Sequence, residues 1–84
     1  MLTRYTLREG EDGKFLTNLV TRHFSSENPV VSLTSFDEIY NMRREIVTYR
    51  KQQQANHSGN LHFYNTDIRI VKVIITWETL NIDG

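Results

Sequence analysis

The sequence contains no cysteine, which excludes disulfide staples, thiol nucleophiles and cysteine-ligated zinc. Net charge is absent too: ten Lys and Arg offset ten Asp and Glu, so the uniform field of a DNA coat or a polybasic membrane anchor is missing. Long apolar runs are lacking, the longest being the three residues Val73 to Ile75. A membrane-spanning helix needs roughly 20. Met1 to Thr6 is broken by polar and charged residues before any apolar run develops, so no targeting segment is read there and a cytoplasmic location is expected. At 84 residues the chain has room for one domain. Its 38% hydrophobic content, with one Trp, four Tyr and four Phe, suffices for a small core and excludes a disordered tail. Stability in so small a domain is marginal, and a partner or second copy would add to it.

What is present reads as strands around one helix. In Leu2 to Arg8, Tyr5 and Leu7 alternate with Arg4, Thr6 and Arg8, the period of a strand with one wet face. Gly10-Glu11-Asp12-Gly13 follows, where Asp-Gly offers the positive-φ positions of a tight hairpin turn. A second strand is expected from Lys14 through Thr17, with Leu19 to Phe24 extending it or bending away, and Ser25 to Pro29 as a loop. Val30 to Leu33 is a brief strand or the entry to the helix. Ser35 and Glu38 form a capping-box pattern, so a helix starts there. Phe36, Ile39, Tyr40, Ile46 and Val47 recur at helical spacing, widened by Met42 and Tyr49, and predict a helix from Phe36 to Gln53 lying on the sheet. Strand character returns at Leu61, is interrupted by Asn65-Thr66-Asp67, and runs from Ile68 to Thr79. There Val71, Val73, Ile75 and Trp77 share the inner face, with Trp77 in the core, and a bulge near Ile70 is expected to bring Ile68 and Ile70 into register. The fold class is α+β, one helix on a small antiparallel sheet in the order β-β-(β)-α-β-β.

No motif names a reaction or a ligand. Arg43, Arg44, Arg50 and Lys51 interleave with Tyr40 and Tyr49, a composition that suits single-stranded nucleic acid. Asp37, Glu38 and Glu45 nearly cancel that charge, so a solvated helix end is favoured and no tight binding to generic nucleic acid is expected. His23, His57, His62 and Asp67 match no recurring metal spacing. Gly10 to Lys14 is a turn rather than a phosphate loop, because two carboxylates inside it repel phosphate. No triad or acid–base pair emerges from the spacing, so neither catalysis nor a cofactor or metal is expected.

Tyr5, Gly13-Lys14-Phe15-Leu16-Thr17, Ser35-Phe36-Asp37-Glu38-Ile39 and Asp67 to Val73 together resemble small phage and prophage accessory proteins of Gram-positive bacteria. The likeness spans most of the chain, and its motifs are structural. It implies a small single-domain protein of a class in which some members bind and inhibit host proteins, including the RNA-guided nucleases of CRISPR defence. The expected function is therefore a non-catalytic module that binds a host protein. Contacts are expected through Arg43, Arg44, Tyr49, Arg50 and Lys51, because Tyr and Arg bury apolar area while making directed hydrogen bonds. The alternatives are nucleic-acid binding through the same helix end, and a self-assembling subunit. Homodimerisation through the edge of the last strand is a further expectation.

Overall fold

The computed structural model of the protein describes residues 1–56 and 65–82. Its elements are β1 (Leu2–Glu9), β2 (Phe15–Leu16), β3 (Phe24–Ser26), α1 (Phe36–Asn56) and β4 (Ile68–Ile75). The strands form an antiparallel sheet in the order β3-β2-β1-β4, with the helix against one face. This is the α+β architecture expected, with a different distribution of strands. Three precede the helix, and among the described residues one follows it. The strand expected from Leu61 lies outside the described residues.

The pair β1–β4 is the frame. Its register is continuous from Leu2 opposite Ile75 to Glu9 opposite Ile68, with no bulge. The expected correction at Ile70 is therefore absent, and the inner face differs from the one expected. Leu7 and Ile68 are fully buried and Ile70 packs beside them, whereas Val71, Val73 and Ile75 lie on the opposite face and are half-buried. Both faces of β4 are apolar, and the residues that meet the helix choose between them. Nor is the second face of β1 uniformly wet, since Thr6, opposite Val71, is fully buried with its hydroxyl unpartnered among the described residues.

The connection from β1 to β2 turns at Gly10, whose φ of 69° is left-handed, not at the Asp-Gly pair. Gly13 is needed for a different reason: a Cβ there would meet the Glu9 carbonyl oxygen at 1.9 Å. β2 is held to two residues because Asn18 reverses the chain. Its side-chain oxygen accepts the N–H groups of Val20 (2.7 Å) and Thr21 (3.0 Å), and its carbonyl accepts that of Arg22 (2.9 Å). The chain then returns as β3, paired to β2 through a register shift between Phe15 and Leu16. Leu19 to His23 thus turns rather than extending β2, Phe24 opens β3, and part of the expected Ser25–Pro29 loop is strand. Val30 to Leu33 forms none; Thr34 alone bridges Tyr5, with N···O distances of 2.9 and 3.0 Å.

Helix α1 begins where the cap places it. Ser35 Oγ accepts the Glu38 N–H at 3.4 Å, but the Glu38 carboxylate takes the Thr34 hydroxyl (2.6 Å), so half of the capping box forms. Asp37 and Glu38 occupy the first turn, favoured by the helix dipole. Ile39, Met42 and Ile46 are buried against Leu7, Leu16 and Ile68, with Val47 packed beside them. Each fully buried aliphatic side chain contributes about 1.5–3 kcal/mol by leaving water. Phe36 stays at the rim, its ring edge-on to Tyr5 with centroids 5.2 Å apart.

Candidate functional site

The five residues expected at a partner surface divide into two sets. Arg43 and Arg50, seven apart and so on one helical face, turn toward the sheet. Arg43 Nε donates to the carbonyl of Ile68. Arg50 donates to the carbonyl of Asn65 (2.7 Å) and to Glu9 (3.4 Å), and its guanidinium lies 5.2 Å from the centre of the Phe24 ring. Both are half-buried and join the helix to the far end of the sheet. Arg44, Tyr49 and Lys51 are exposed, Arg44 donating to Asn41 Oδ1 at 3.2 Å. The basic helix end therefore offers less free charge than its composition suggests.

A second surface follows from backbone geometry. Tyr5 exchanges hydrogen bonds with Thr34, and the Glu9 N–H goes to the Lys14 carbonyl, so both turn their backbone polar groups away from β4. Facing residues of an antiparallel pair either both turn inward or both turn away. Lys72, opposite Tyr5, and Ile68, opposite Glu9, therefore turn theirs to the outer edge of β4, and alternation adds Ile70 and Ile74. Arg43 already occupies the Ile68 carbonyl. At Ile70, Lys72 and Ile74 no strand pairs with the edge among the described residues.

This edge continues into Thr76–Ile82, which extends past the start of β1 at Leu2 and is exposed throughout. Trp77 is 65% exposed and Leu80 71%, which overturns the expectation of a core tryptophan; β4 stops at Ile75 instead of Thr79 because β1 offers no partner beyond Leu2. Ile74 and Ile82 add to the exposed apolar surface. The run of β-branched residues in the sequence pointed to this edge; the exposure of Trp77 carried no signal, since a strand and an unpaired extension have the same composition.

Charge elsewhere is local. Lys14 pairs with Glu27 across the β2–β3 end and, mainly through that hydrogen bond, holds the Glu27 carboxyl below its ordinary range. Asp67 raises the Arg69 guanidinium in the same way, through its hydrogen bond. Arg22, at a φ of 60°, reaches Glu45 on the helix at 2.7 Å. His23 is exposed, while His57 and His62 lie outside the described residues. The described residues contain no cluster able to hold a metal, no enclosed cavity, and no helix long and apolar enough to cross a membrane. No protein-family model, curated protein or solved structure matches the chain.

Proposed function

We propose that the protein is a non-catalytic protein-binding module that takes up its partner by strand addition along the outer edge of β4. One observation carries this reading: the outward-turned backbone groups of Ile70, Lys72 and Ile74 are continuous with the exposed side chains of Trp77 and Leu80. Backbone hydrogen bonds supply affinity in such a mode, and alternating side chains supply specificity. A tryptophan beside the edge adds the kind of anchor that dominates interface energies. The resemblance to phage accessory proteins supports a host protein as target, modulated or inhibited by occupancy, with CRISPR nucleases inside that class. Arg44, Tyr49 and Lys51 then form a second contact surface on the helix. The rival reading, nucleic acid on the basic helix end, draws less support because Arg43 and Arg50 are held by Ile68, Asn65 and Glu9.

The test compares wild type with Ile74→Pro as bait in host lysate to which an untagged copy of the chain is added. Proline removes an outward N–H that the β1 ladder does not use, so the fold tolerates it at an edge. At least one protein, the untagged copy included, is expected on the wild type and lost from the variant. Equal retention on both baits, or capture of nucleic acid alone with a steep loss in salt, overturns the reading.

A further inference from the structure

We infer that the occupant of the β4 edge is a second copy of this chain, docked antiparallel about a two-fold axis at Ile75. This rests on the reading of β4 as a binding edge and makes a second copy its occupant, which leaves a host protein the exposed helix surface of Arg44, Tyr49 and Lys51. A two-fold contact is self-complementary, so residues i and j of one copy face j and i of the other. The outward-turned residues are Ile70, Lys72 and Ile74, and any such register must pair them with outward-turned residues of the second copy.

Charge selects the register. An axis at Lys72 sets that lysine against its own copy, which is destabilising. Axes at Val71 or Val73 set it against Ile70 or Ile74, and one at Ile74 against Thr76. An axis at Ile75 places Lys72 opposite Glu78 of the second copy, twice by symmetry. The same axis sets Ile70 opposite Leu80, Val73 opposite Trp77 and Ile75 opposite itself, pairing the exposed side chains of the extension with apolar residues of β4. Arg43 on the Ile68 carbonyl closes the edge beyond Ile70, so Leu80 is the last residue that the edge can pair. The extension of each copy thus becomes the strand that pairs with the outer edge of the other's β4.

Sedimentation equilibrium across a concentration series measures the dimer constant of wild type, Lys72→Glu, Glu78→Lys, the double exchange and Ile74→Pro. Each single charge reversal turns two attractive pairs into two repulsive ones and is expected to weaken the dimer about tenfold. The double exchange restores it to within about twofold, which a merely structural effect of either residue does not do. Ile74→Pro is expected to be monomeric with unchanged circular dichroism. A wild type that stays monomeric at every concentration overturns the inference while leaving strand addition by a foreign protein to the lysate experiment. A dimer that neither charge reversal nor proline weakens overturns it as well, because its interface then lies elsewhere.

Discussion

The two edges of the sheet are built on opposite plans. At one edge β3 has three residues and β2 behind it two, their register is shifted, and Ser25 and Thr17 spend their hydroxyls on each other at 2.7 Å. Short strands, irregular pairing and charged flanks such as Lys14 and Glu27 are the means by which proteins keep an edge from pairing with another chain. At the other edge β4 runs eight residues in unbroken register, six of them Ile or Val, and Lys72 is the sole charge on its outward-turned positions. The difference supports the proposed use of the β4 edge as a binding surface, which the exposed Trp77 and Leu80 would extend.

Truncating the core under the helix removes what both edges share. Ile46 is buried against the sheet, so Ile46→Ala should cost about 2–5 kcal/mol, measured by denaturant unfolding. Both edges should melt in one transition; separate transitions would divide the sheet into independent units.

A smaller effect distinguishes residues that serve the fold from those that are free. Arg50→Ala strands the Glu9 carboxylate and the Asn65 carbonyl in a half-buried setting and should cost about 1–3 kcal/mol, whereas Lys51→Ala should change stability by less than about 0.5 kcal/mol. Equal, small losses would return Arg50 to the surface set. The positive charge of Arg43 and Arg50 was legible, but the carbonyls that claim them stand 25 and 15 residues away and carry no sequence signal. The helix start was legible because its cap is local: Ser35, Glu38 and the apolar spacing lie within one element. The alternation of Tyr5 and Leu7 placed β1 for the same reason. By contrast β3 has no strand signature of its own and exists because β2 is there to pair with it, and β4 ends where β1 ends. Ile68 and Ile70 could not be chosen over Val71 and Val73 until the helix picked a face.

The smallest effect concerns the blunted edge. Lys14 holds the Glu27 carboxyl below its ordinary range, so the pair favours the folded state above the titration of a free carboxylate and loses that contribution as pH falls through the lowered value. Both groups are exposed, and salt screens them. Wild type should exceed Glu27→Gln slightly in thermal midpoint at neutral pH and low salt, with the gap closing in acid. A gap that widens in acid would mean that Glu27 does not act through Lys14.

Amide hydrogen exchange as a function of protein concentration decides whether a second copy occupies the outer edge of β4. The Ile70, Lys72 and Ile74 amides turn outward, while those of Arg69, Val71 and Val73 turn to β1. The outward set should exchange quickly in dilute solution and become protected as concentration rises, while the inward set stays protected throughout. Outward amides that exchange quickly at every concentration, or are equally protected at every concentration, would rule out a dimer through this edge.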